Sequence, residues 1–178
     1  MAVCKSFAIC VALSMLSGQA FAQDAAPGLT TFYVGGGQAI TDDPQKNDSM
    51  PFSFGIMHQN PANKFIIGLD IGFEGTMIDS TYYQDEALSQ GTSFNVLVGT
   101  NLIDNGGFKT DAALLLGMRQ SVVDCPDSYL GFACYADFDP DFEYEANFGA
   151  VITVSMNKTV LGLRATGEST QLLLGLRF

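Results

Sequence analysis

The chain has 178 residues, 47% of them hydrophobic, with no tryptophan and a formal net charge of −11 from 19 acids against 8 bases. So acidic a balance excludes nucleic acid as a partner, because that recognition needs a basic footprint. A single histidine and four cysteines leave little material for a four-ligand nitrogen and sulfur metal site.

The chain opens with Lys5, an apolar run from Phe7 to Leu16 and the small-x-small sequence Ala20-Phe21-Ala22, the pattern of a secretory signal peptide over residues 1–22. Its apolar core is too short for an anchor, and nothing later approaches the roughly 18 unbroken apolar residues of a membrane helix. Cys10 lies inside that core behind Ile9, which does not fit a lipoprotein. Removing 22 residues from 178 leaves 156, a length that suggests one domain. Losing Lys5 leaves seven bases against 19 acids, a net charge of −12. Cys125 and Cys134 remain as an even pair in an exported chain, which reads as a disulfide.

After a short linker over residues 23–29, alternation at period two predicts eight strands: Thr30 to Ile40, Met50 to Gln59, Asn63 to Glu74, Gly91 to Ile103, Gly107 to Val122, Asp141 to Ser155, Lys158 to Gly167 and Ser169 to Phe178. In the third, Phe65, Ile67, Leu69, Ile71 and Phe73 share one face, and Lys64, Ile66, Gly68, Asp70, Gly72 and Glu74 share the other. The fourth, fifth and sixth repeat the arrangement: one face is apolar throughout, and the other mixes charge, amide and glycine. The connections alternate as well. Asn60-Pro61-Ala62, Asp104-Asn105-Gly106 and Met156-Asn157 are tight turns, whereas Thr41 to Ser49, Gly75 to Gln90 and Val123 to Pro140 are long, with a short fourth at Glu168. An up-and-down barrel gathers its short turns at one end and its long loops at the other. The expected class is all-β, an eight-stranded antiparallel up-and-down transmembrane β-barrel over residues 30–178.

A secreted, lipocalin-like barrel also alternates but coats its outside with charge. Here the few strand charges share their face with glycines, the G-x-W opening of lipocalins is missing, and the last strand is also the end of the sequence. Glycines beside charges suit a narrow interior filled by side chains.

The opening strand Thr31-Phe32-Tyr33-Val34-Gly35-Gly36-Gly37 and the closing Gln171 to Phe178 resemble the first and last strands of the small eight-stranded bacterial outer-membrane barrels. That group includes the outer-membrane protein A membrane domain, outer-membrane protein X and the opacity-type surface proteins. The resemblance implies a sorting signal at Gln171, Leu176 and Phe178, with Leu173 standing where a glycine is usual. It also implies periplasmic termini, outer-membrane lipid and lipopolysaccharide as surroundings, and the barrel-assembly machinery as a partner.

Parity places a charge network in the interior: Lys64, Lys109, Arg119, Lys158, Arg164 and Arg177 against Asp70, Glu74, Asp111, Glu143 and Glu145. Arg119 and Arg164 are expected in the upper half near Asp70, Glu143 and Glu145, with Lys64, Lys109 and Asp111 near the base. Such charges fill the barrel as a plug, or gate a narrow porin-like channel for ions or small solutes. His58, beside a short turn, falls at the periplasmic end, away from where lipid A-modifying barrels work, so no catalytic group is expected. Asp137, Asp139, Asp141, Glu143 and Glu145 alternate as divalent-cation ligands can, but Phe142 and Phe148 break the EF-hand pattern. An acidic rim is expected, with no metal and no cofactor. Tyr82, Tyr83, Tyr129, Phe132 and Tyr135 sit on the long loops, where aromatic residues contact an extracellular protein partner, cover the mouth or anchor in headgroups. The expected role is structural or surface interaction through acidic, aromatic loops.

Overall fold

The computed structural model describes residues 29–40, 49–78, 88–124 and 141–178. The residues 1–28 assigned to the signal peptide and linker, Cys125, Cys134, Asp137, Asp139 and the five loop aromatics lie outside them.

Eight strands form: β1 (Thr30–Ala39), β2 (Phe52–Gln59), β3 (Phe65–Ile78), β4 (Leu88–Asp104), β5 (Phe108–Asp124), β6 (Asp141–Met156), β7 (Thr159–Thr166) and β8 (Ser169–Arg177). Each pairs antiparallel with its chain neighbours, and β8 pairs with β1, so the sheet closes on itself. At the seam, the Thr30 N–H donates to the Phe178 carbonyl (3.1 Å) and the Phe178 N–H to the Thr30 carbonyl (2.9 Å). Closure leaves no unpaired edge along the span, which a bilayer requires of any sheet crossing it.

Period-two alternation gives the two faces opposite environments. Outward strand positions are apolar and exposed, led by Leu172 (70%), Phe148 (64%) and Val34 (62%). Aromatic residues gather at two levels of this surface. Phe32, Phe65, Phe108 and Phe178 lie near the turn end, and Phe52, Phe54 and Phe73 lie toward the opposite end, where Phe52 and Phe73 stack at 4.4 Å. Phe65 and Phe73 are eight residues apart on β3, roughly 20 Å of height at the usual rise and tilt, close to the apolar band of membrane barrels.

Inside, the same alternation stacks three layers. On β8 the inward residues run Gln171, Leu173, Arg177; on β4, Asn95, Leu97, Asn101; on β6, Asn147, Val151, Ser155. The middle layer is apolar: Met57, Ile66, Leu97, Ala113, Leu115, Val151 and Leu173 pack in one buried cluster with Tyr33. Polar clusters lie above and below it.

The second and third long connections were drawn too wide from sequence, and the first too narrow, since β1 ends at Ala39 and β2 begins at Phe52. β3 runs on to Ile78 and β4 begins at Leu88, because a bulge between Phe73 and Thr76 resets the alternation around Gly75, whose φ is +78°. As a result β3 to β6 have 14, 17, 17 and 16 residues, against 10, 8, 8 and 9 for β1, β2, β7 and β8. The extra residues lie at the end away from the termini. β2 stops pairing at Phe73, five residues before β3 ends, and β7 stops at Gly149, eight residues after β6 begins.

Candidate functional site

The upper cluster is built on Arg164 of β7, whose side chain is fully buried. Its Nε and Nη2 donate to Asp70 (3.2 and 2.9 Å), and its Nη1 and Nη2 donate to Glu74 (2.8 Å each). Both carboxylates come from β3 and are 0–1% exposed. Two acids share one guanidinium, so neutral donors complete the shell. The Tyr33 hydroxyl (2.7 Å) and Asn95 Nδ2 (2.9 Å) donate to Asp70. Ser93 (3.0 Å), Thr166 (2.7 Å) and Ser169 (2.5 Å) donate to Glu74, with Asn147 more distant at 3.4 Å. Gly72 makes the room: a Cβ there would stand 2.7 Å from Arg164 Nη2 and 2.6 Å from Ser93 Oγ.

The lower cluster centres on Arg177, which donates to Asp111 (2.6 Å), to Ser155 Oγ (3.2 Å) and to Gln59 Oε1. Asn101 donates to Asp111 at 2.6 Å. Lys109 pairs with Asp104 (3.0 Å) at the turn. At the opposite mouth Arg119 bridges Glu145 (2.8 Å) and Glu168 (3.1 Å).

Four positions depart from the parity reading. Lys64 and Lys158 are exposed, since both belong to tight turns; Lys64 has φ 60°, a turn conformation that ends the strand alternation. Glu143 and Glu145 are exposed on the part of β6 that rises beyond β7, so they are not interior charges. Arg164 is accordingly held by Asp70 and Glu74, and Glu145 meets Arg119 instead. Period two assigns a face but not a height, and these residues share the inward face above or below the enclosed part.

Tyr33, Gln59, Ser93, Asn95, Asn147, Ser155, Thr166 and Ser169 belong to the clusters but carry no charge, so sequence reasoning passed over them. Their signal was inward parity on strands adjoining a charge. Gln171, assigned to sorting, is buried; it accepts from Ser53 (2.6 Å) and donates to Ser169 (2.9 Å). Leu176 and Phe178 face outward, with Phe178 edge-on to Phe32 at 6.0 Å. His58 is exposed at the turn end, bonded to Thr30 Oγ1 at 2.9 Å.

No protein-family model matches the sequence, and no curated protein does either. Among solved structures the chain is similar to Neisserial surface protein A, at 11% identity over 86% of this chain and 98% of that one, with a TM-score of 0.50. It is similar also to Ail, the attachment invasion locus protein of Yersinia pestis, in complex with the heparin analogue sucrose octasulfate, at 15% identity over 86% and 100%, again with a TM-score of 0.50. At such identities the likeness is one of fold. Together with the closed antiparallel ring and the apolar exterior it gives the chain the fold of a small eight-stranded β-barrel with a lipid-compatible outer face.

Proposed function

We propose that the protein is a surface-interaction barrel whose working part is the raised wall formed by β3 to β6. The observation that carries this reading is the inequality of the strands. Five to eight residues of β3 and β6 continue past the ends of β2 and β7, a rise of about 13–20 Å at ordinary strand geometry and tilt. A wall that tall is unnecessary for spanning the bilayer, and its strands are joined by the connections that carry Tyr82, Tyr83, Tyr129, Phe132 and Tyr135 in the sequence. Aromatic side chains of this kind supply contact area to a protein partner at small entropic cost.

The sign of the charge narrows the partner. Ail was crystallised with a sulfated polyanion; the present chain has 19 acids against 8 bases and an exposed Glu143 and Glu145 on the wall, so its surface repels such a ligand and favours a neutral or cationic one. Below the wall, lipopolysaccharide and phospholipid surround the belt, and the closing strand with Gln171, Leu176 and Phe178 serves the barrel-assembly machinery.

A channel draws less support. Leu97, Leu115, Leu173, Ile66 and Val151 fill the middle of the lumen at 0–1% exposure, and ions do not cross a packed apolar layer. An outer-leaflet enzyme draws less again, because His58 is at the periplasmic end. Adhesion to immobilised host surface proteins of cells displaying the intact chain, against cells whose five loop aromatics are serine, tests the proposal. Equal adhesion refutes it, and ion-selective steps from the refolded barrel in a planar bilayer would favour the channel.

A further inference from the structure

We propose that Asn105, in the periplasmic turn between β4 and β5, is a covalent modification site: it deamidates through a cyclic imide formed with the backbone nitrogen of Gly106. The residues here are Asp104-Asn105-Gly106-Gly107, all exposed. The Gly107 N–H donates to the Asn105 carbonyl (2.9 Å) around Gly106, whose φ is +78°, the pattern of a tight γ-turn. The nucleophilic nitrogen lies outside the strand ladder. Its N–H is bonded to Asp104 Oδ1 at 3.2 Å, a side-chain partner that solvent can displace. No side chain blocks the approach, since a Cβ on Gly106 or Gly107 would meet nothing within 4 Å and glycine itself has none. Among the described residues nothing holds the Asn105 side-chain amide, while its backbone N–H donates to the Phe108 carbonyl (2.9 Å).

Each of the other described asparagines lacks at least one of these features. Asn60 precedes Pro61, which has no N–H to supply. The Asn60 and Asn63 side chains accept from the Ala62 and Phe65 amides. Asn95, Asn101 and Asn147 are buried and bonded. Asn157 is followed by Lys158, whose side chain crowds the ring closure.

In the first step the Gly106 nitrogen bonds to Asn105 Cγ while its proton passes to solvent base. The Cγ–Nδ2 bond breaks, and ammonia leaves with a proton from water. Hydrolysis of the imide at either carbonyl then gives aspartate or isoaspartate. Either product adds a carboxylate beside Asp104, and isoaspartate lengthens the turn by one backbone atom.

The test uses the full-length mature barrel refolded in detergent and incubated in mildly alkaline buffer, with peptide mapping by mass spectrometry. The Asn105 peptide is expected to gain about one mass unit at least about tenfold faster than any other asparagine-containing peptide of the folded protein. Unfolding in urea should bring other asparagines into competition without accelerating Asn105 more than a few-fold. Gly106→Ala should slow the conversion about tenfold. Because alanine is strained at this φ, Asn105→Gln is the second variant, which keeps Gly106 and should abolish the early mass gain. Protection of Asn105 in the folded barrel, with conversion only in urea, overturns the proposal; so does an unchanged mass gain in Asn105→Gln.

Discussion

Replacing Arg164 by alanine removes the one cation from a cluster holding two buried carboxylates. Asp70 keeps its bonds from Tyr33 and Asn95, and Glu74 keeps those from Ser93, Thr166 and Ser169. Each carboxylate nevertheless loses its charged partner in a site 0–1% exposed. Breaking one side of a buried pair costs about 3–5 kcal/mol. By contrast, Arg119→Ala acts on a pair whose Glu145 side chain is 52% exposed, where the usual worth is about 0–1 kcal/mol. The assay is urea unfolding of the refolded barrel followed by far-ultraviolet circular dichroism, since the chain has no tryptophan to report by fluorescence. Adding Asp70→Asn and Glu74→Gln to Arg164→Met should recover most of the loss, because a neutral cluster leaves no buried charge unpaired. An Arg164→Ala loss no larger than that of Arg119→Ala would refute the reasoning.

Gly72→Ala should destabilise by about 1–3 kcal/mol, since the added methyl meets Arg164 Nη2 and Ser93 Oγ; the same unfolding curve measures it, and the loss should shrink when Arg164 is already alanine. Leu174→Arg, on the lipid face of β8 at 59% exposure, should cost about 2–4 kcal/mol if it lies near mid-bilayer, while leaving detergent-free aggregation as the visible symptom in cells. At the β4–β5 turn, the Lys109 ammonium bonded to Asp104, helped by the Gly106 N–H, holds that carboxyl below the ordinary carboxylate range. A depressed folded value means the contribution is present above the unfolded value and is lost as pH falls through the folded one. Wild-type and Asp104→Asn midpoints should therefore differ near neutrality and converge in strong acid; a gap that persists there would show that the charge is not what matters.

The ring was legible because alternation is a local property. Phe65 to Phe73 and Phe108 to Met118 announce a lipid face residue by residue, and Asn60-Pro61 or Asp104-Asn105-Gly106 announce the turns between them. Height along the barrel was not legible. Lys64 and Glu143 have the right parity, yet one belongs to a turn and the other stands above the mouth. The bulge at Gly75 hid the upper ends of β3 and β4, because one extra residue inverts the faces of Thr76 and Met77 and makes a strand look like a loop. The apolar septum was present in the face assignments, as Ile66, Leu97, Leu115 and Val151, but alternation alone does not say that they meet at one level.

Which charges pair depends on the stagger of strands that are distant in sequence and not adjacent in the sheet. β3 and β7 are four places apart in the eight-strand ring, so Arg164 spans the diameter to reach Asp70 and Glu74. Arg177 on β8 crosses three places to Asp111 on β5 and two to Gln59 on β2. Ladder bonds join only neighbours and would tolerate a slip of two residues without exposing a single apolar side chain to the lumen. A slip of that size would carry Arg164 to the level of another row and leave three buried charges unmatched, a penalty far above that of any one lost ladder bond. The cross-braces therefore do more to select one stagger than to hold the finished ring, and the apolar layer between them closes the lumen.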